Sequence, residues 1–195
     1  MGVLVHRKTE AMNLLKSYIE EGKTVIIVGS CGSGKSTLLH ELREYISNED
    51  RTVVVGWRPE VEKLKSKNLV SWDKNEVYDA EVLVDRLEEY SPDRLVFDEV
   101  RGEIVHPVLD FWKENGKGLG TVLTTNVDMA KKYLVNAYMD TTLDDAPDVV
   151  EVVVAAIDVI VQMGYRRKNI SEVLVVDKES KREIVLTSVY KDEGQ

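Results

Sequence analysis

The sequence predicts an α/β fold: a mostly parallel sheet flanked by helices, with a C-terminal antiparallel extension. Three observations predict it. Short, mainly apolar runs such as "TVIIV", "TVVV" and "RLVF" alternate with amphipathic helical stretches, the pattern of strands buried on both faces. A glycine-rich loop stands between the first such run and a helix. The tail changes to strand-like runs separated by charged turns, "GYRRKN" and "DKESKR", as in an antiparallel meander.

The elements follow in order. "TEAMNLLKSYIEEG" reads as a helix capped by Thr9 and ended at Gly22. "TVIIV" is the first strand, "KSTLLHELREYI" a helix, and "RTVVVGW" the second strand. From Arg58 to Asn75 the chain is polar and irregular, and the pattern assigns no element there. "DAEVLVDRLEEY" is an amphipathic helix stopping before Ser91-Pro92, and "RLVFDEV" is the third strand. "HPVLDFWKENG" reads as a helix ending at Gly116, "LGTVLTTN" as the fourth strand, and "VDMAKKYLVNAY" and "APDVVEVVVAA" as helices, Pro147 suiting a first turn. "IDVIVQM", "SEVLVV" and "EIVLTSVY" complete the meander. The expected organisation is one domain over 1–195: an N-terminal helix (1–22), a nucleotide-binding core (23–156) and the meander (157–195).

The 195 residues are 43% hydrophobic, enough for one sizeable core or one core plus a small appendage. The net charge of −9 argues against broad nucleic-acid binding and against an anionic membrane as main partner. Cys31 is the only cysteine, so no intramolecular disulfide forms, and a cytoplasmic protein is expected. The N-terminus has no signal-peptide core, and no apolar run reaches the roughly 18 residues of a membrane span. The longest, "VVEVVVAAIDVIVQMG", is interrupted by Glu151 and Asp158.

"GSCGSGKST" matches G-x-x-x-x-G-K-[ST]. Its nine residues, Gly29, Ser30, Cys31, Gly32, Ser33, Gly34, Lys35, Ser36 and Thr37, are the expected nucleotide contacts. Small residues let backbone N–H groups curl around a β-phosphate, Lys35 adds a cation near the terminal phosphates, and the Ser36 hydroxyl suits Mg²⁺. Thr37 falls within reach of the α-phosphate. The motif specifies phosphate binding; it does not separate an ATPase from a kinase or a GTPase. Asp98 and Glu99 end the third strand, and ligands collect at strand carboxyl ends. If that strand neighbours the one before the loop, Asp98 holds the metal and Glu99 orients or deprotonates water. The alternative is two acids capping the next helix. His6, His40 and His106 lack metal-ligand spacing. Trp57 and Trp112 read as packing residues, Trp57 with a further option against adenine.

At "VFDEVRGEI" the sequence resembles the hexameric traffic ATPases of type II and type IV secretion, conjugation and type IV pili. Their stretch reads apolar-apolar-Gly-Glu-[Val/Ile/Leu]-Arg. Glu99 and Arg101 match, and Asp98 replaces the glycine. "EAMNLLKSYIEEGKTVIIVGSCGSGKSTLL" resembles the family's entry into its catalytic domain. "GLGTVLTTN" aligns with its Gly…Thr-x-x-His-Ala-Asn segment through Thr121 and Asn126, with Thr124 at the histidine. "IDVIVQMGYRRKNISEVLVV" resembles its late strands. The likeness runs from about Thr9 to Tyr190.

The family's acidic box is reduced to Glu60-Val61, with Gly56 and Trp57 at acidic positions. The N-terminal domain, which in the family clamps nucleotide and helps form the ring, is not represented. The resemblance implies a RecA-like core, ATP and Mg²⁺ as cofactors, and hydrolysis by Glu99 and Lys35. It places Arg101 near the active centre, bracing the Glu99 loop or reaching a neighbouring subunit. Arg58, Arg166 and Arg167 are rival arginine fingers. It further implies a homo-hexamer at the cytoplasmic face of a membrane-associated secretion or pilus machine, without stable nucleic-acid binding. A nucleotide-binding module with little hydrolysis, a small-molecule kinase and a DNA motor on the same core are the alternatives.

Overall fold

The computed structural model describes residues 2–56, 68–142, 146–165 and 169–192; side chains are described from residue 9 onward, and again from 148 in the helix that starts at 146. Trp57, Arg58, Glu60, Val61, Arg166 and Arg167 lie outside the described residues. The helices are α1 (Gly2–Glu20), α2 (Lys35–Arg43), α3 (Ala80–Tyr90), α4 (Val105–Asn115), α5 (Val127–Met139) and α6 (Ala146–Ala156). The strands are β1 (Val25–Gly29), β2 (Thr52–Gly56), β3 (Leu69–Asp73), β4 (Arg94–Phe97), β5 (Gly118–Leu123), β6 (Val159–Met163), β7 (Ile170–Val176) and β8 (Leu186–Lys191).

One sheet runs in the order β3-β2-β4-β5-β1-β6-β7-β8. From β3 to β6 every pairing is parallel, and β6-β7 and β7-β8 are antiparallel. The meander therefore continues the parallel sheet through β6. The continuous apolar strands divide between two cores by the period of two. Ile26, Val28, Val53, Val55, Leu95 and Phe97 face the layer of α3 to α6. Val25, Ile27, Val54, Val96 and Leu119 face α1 and α2, through Ala11, Leu15, Ile19, Leu39 and Leu42.

Two expectations change. The first helix starts at Gly2, so Thr9 lies inside it rather than at its N-cap, with seven residues of helix before it. Gly22, at φ 79°, follows the helix end as expected. The unassigned stretch contains β3, which pairs in parallel with β2 at the sheet edge. All five of its residues are half-buried, so neither apolar continuity nor strict alternation marks it.

Local chemistry fixes the ends of several elements. Asp79 caps α3 by accepting the N–H groups of Glu81 and Val82 at 3.0 and 3.1 Å. Lys178 donates to the carbonyls of Val154, Ala155 and Ile157, at 2.7, 3.0 and 2.8 Å, closing the end of α6. Burial lowers its pKa, and Asp158, 3.1 Å away, opposes that shift. In β5, Gly118 and Gly120 have no side chain because the Trp112 indole lies against them: a Cβ on either would come within 2.5 Å of the ring. Trp112 is buried and donates its Nε1–H to the Leu95 carbonyl at 3.1 Å, the packing role expected of it.

Candidate nucleotide site

The loop from Gly29 to Gly34 is shaped by its glycines. A Cβ on Gly29 would stand 2.6 Å from Ser33 Oγ and 2.8 Å from Met163 Cβ, so only glycine lets the chain turn there. Gly32 and Gly34 have φ of 73° and 96°, a region that costs other residues strain. Gly34 caps α2 without a side-chain hydrogen bond. The first-turn N–H groups of α2 therefore remain directed at whatever the loop encloses. Lys35 folds back, and its ammonium donates to the Ser30 carbonyl at 2.9 Å. Burial lowers its pKa, while Cys31, Asp98 and Glu99 pull in the opposite direction. Cys31 is exposed.

The strand bearing the acids is not the loop's neighbour: β5 stands between β4 and β1. Asp98 nevertheless reaches Ser36 of the loop motif, and Thr121 on β5 spans the gap. Its hydroxyl donates to Asp98 Oδ1 at 2.6 Å and accepts the Glu99 N–H at 2.7 Å. Ser36 donates to the same Asp98 oxygen at 3.2 Å. Backbone bonds complete the register, from the Asp98 N–H to the Val55 carbonyl at 3.0 Å and from the Val100 N–H to the Thr121 carbonyl at 2.8 Å. Asp98 is buried, so these donors replace water around its charge. The two acids do not cap the next helix; Arg101 occupies the cap of the 3₁₀ turn Gly102–Ile104 that leads into α4.

Glu99 adopts φ 69°, unusual for a residue with a side chain. Its carboxylate lies between two cations. Oε2 accepts from the ammonium of Lys74, and Oε1 is 3.4 Å from Arg101 Nη1. Lys74 sits in the 3₁₀ turn after β3 and is 1% exposed. The Arg101 guanidinium is stacked 5.2 Å from the Tyr78 ring centroid, and its Nε donates to the Tyr78 hydroxyl. That hydroxyl, with the charge of Glu99, raises the arginine's pKa above its usual range. The neighbouring Gly102 N–H donates to the Tyr133 hydroxyl at 2.9 Å.

The structure thus gathers Ser36, Asp98 and Glu99, with Lys35 close enough to sense both acids, and places Arg101 against Glu99 of its own chain. Lys74 and Tyr78 were missed by sequence reasoning. Lys74 lies within the unassigned stretch, and a five-residue edge strand gives little periodicity to find. Thr121 was recognised only as an aligned residue. Its bridging geometry depends on β5 standing between β4 and β1, which no local pattern reveals. Thr124, at the family's histidine position, donates to the Asn126 carbonyl at 3.2 Å.

Comparison with known proteins bears on the fold. No protein-family model matches the sequence. Over 64 residues, 33% of this chain, it is 36% identical to an ATP-dependent lipid A-core flippase of Saccharophagus degradans, 11% of whose length is matched. The fold is similar over 92% of the chain to the VirB11 ATPase of the Brucella suis type IV secretion system, crystallised with sulphate, with TM-score 0.77 and 19% identity. The Legionella pneumophila ATPase DotB (TM-score 0.62, 17% identity, 87% of this chain) and the pilus retraction motor PilT with bound ADP (0.58, 20%, 92%) share it. The chain spans about half the length of these structures: 56%, 51% and 50%.

Proposed function

We propose that this chain binds ATP and hydrolyses it with Mg²⁺, as a motor domain of the kind that powers secretion, conjugation or pilus machines. The observation that carries the reading is the 3.2 Å hydrogen bond from Ser36 to Asp98, which joins the phosphate loop to the strand-end carboxylate. A hydroxyl and a carboxylate converging in this way are hard oxygen donors, and they fit Mg²⁺. Ser36 and Asp98 would hold the ion, which when bound offsets phosphate charge. Lys35 is released from the Ser30 carbonyl to meet the terminal phosphates, and Glu99 takes a proton from the attacking water.

Likeness to VirB11, DotB and PilT in fold supports the motor reading, and the ADP bound to PilT supports nucleotide as ligand. We extend it to a homo-oligomer, a hexameric ring, acting at the inner face of a membrane assembly. Among the described residues no helix is long and apolar enough to cross a membrane.

The test is ATPase activity and nucleotide affinity of Lys35→Ala and Glu99→Gln. The first is expected to lose nucleotide binding, and the second to bind ATP and turn over at least about 10²-fold more slowly. Parental hydrolysis by both variants would remove the reading. A second reading, nucleotide binding with little hydrolysis, is favoured by one observation: both Glu99 carboxylate oxygens face cations. Tight ATP binding without turnover by the parent chain would select it.

A further inference from the structure

We infer that Lys74 is a positioning residue for Glu99: it fixes Oε2, which leaves Oε1 as the oxygen that accepts the proton of the attacking water once Arg101 moves aside. The inference rests on the proposed hydrolysis. Its basis is the asymmetry between the two cations.

Lys74 is 1% exposed and held in the turn that follows β3. An ammonium buried so deeply is costly unless paired, and its ion pair is with Glu99 Oε2. It also lies 5.4 Å from the face of Tyr78. This cation has little room to move. Arg101 is different: its side chain is 55% exposed, and its Nη1 stands 3.4 Å from Oε1. Of the two carboxylate oxygens, Oε1 is therefore the one that can be uncovered without unpacking the protein.

The backbone supports the same division. Glu99 is fixed at φ 69° by its N–H bond to Thr121, so its side chain leaves the strand end in one direction. Lys74 then determines how that carboxylate is rotated. As water attacks, its oxygen bonds to the terminal phosphorus, its proton passes to Oε1, and the bridging P–O bond breaks with the electron pair leaving on ADP. The proton is later returned to the phosphate product. A general base must lie within hydrogen-bond reach of that water. Displacement of a reacting group by about 1 Å can lower a rate by about 10²-fold.

The experiment compares steady-state ATP hydrolysis, binding of a fluorescent ATP analogue and thermal unfolding for the parent, Lys74→Met, Lys74→Arg and Glu99→Gln. Lys74→Met is expected to lower kcat by about 10²-fold, with KM and analogue affinity within about 3-fold of the parent. Lys74→Arg, which keeps a cation in the site, is expected to recover most of the lost kcat. A folded Lys74→Met with parental kcat, or a folded Lys74→Arg no better than Lys74→Met, overturns the inference. The Glu99→Gln arm separates the two claims. If it is inactive while Lys74→Met is normal, only the role of Lys74 falls. If Glu99→Gln hydrolyses like the parent, or the parent hydrolyses nothing, Glu99 is not the base and both readings fall.

Discussion

Thr121 uses one hydroxyl for two tasks: it donates to Asp98 and accepts from the Glu99 backbone. The Asp98 carboxylate and the Glu99 backbone are thereby set from a strand that carries neither acid. Replacing Thr121 by Val keeps the shape and removes the hydroxyl, leaving a buried carboxylate oxygen and an N–H each short of a partner. The expected cost is about 1–3 kcal/mol in denaturant unfolding, with a slower turnover, while Thr121→Ser retains both. Unchanged stability and rate in Thr121→Val would refute the bridge. Glu99 illustrates a different residue-scale effect. Its left-handed backbone costs on the order of 1 kcal/mol or more, and the bonds around it to Thr121, Lys74 and Arg101 hold that conformation in place. The identities of Lys35, Ser36, Asp98 and Glu99 were readable as candidate site residues because each chemistry demands a particular side chain. Lys74 was not readable: a lysine in a polar stretch looks like solvated surface until a strand buries it.

At the scale of elements, strands buried on both faces were the most legible feature. β1, β2, β4 and β5 are mostly apolar runs, interrupted only by Thr52, Arg94 and Thr121, and every residue in them except Leu123 is buried. β3 escaped because an edge strand keeps one side open and carries mixed residues. The start of α1 escaped because a capping residue inside a helix looks the same in sequence as one at its end. Helix α4 and strand β5 are coupled through Trp112, whose indole packs against Gly118 and Gly120. Gly120→Val is expected to push the indole out and to destabilise the protein by about 1–3 kcal/mol or more. The loss would appear as a lowered unfolding midpoint. A parental midpoint for Gly120→Val would show that the indole has room to shift.

For the whole molecule, the proposed ring is tested by its mass in solution. If the proposed ring forms, mass in solution with an ATP analogue and Mg²⁺ is expected to rise to that of a hexamer. A strict monomer with and without nucleotide would exclude the ring, and would confine Arg101 to the Glu99 of its own chain. The sequence by itself determined the α/β class, the glycine-rich loop and the acids at a strand end, since apolar runs, glycine spacing and adjacent carboxylates are local properties. Only the tertiary structure decided that β5 intervenes between loop and acids, that Thr121 spans the gap, and that Lys74 meets Glu99. Those relations depend on strand order and on burial, and both arise from packing between segments far apart in the chain.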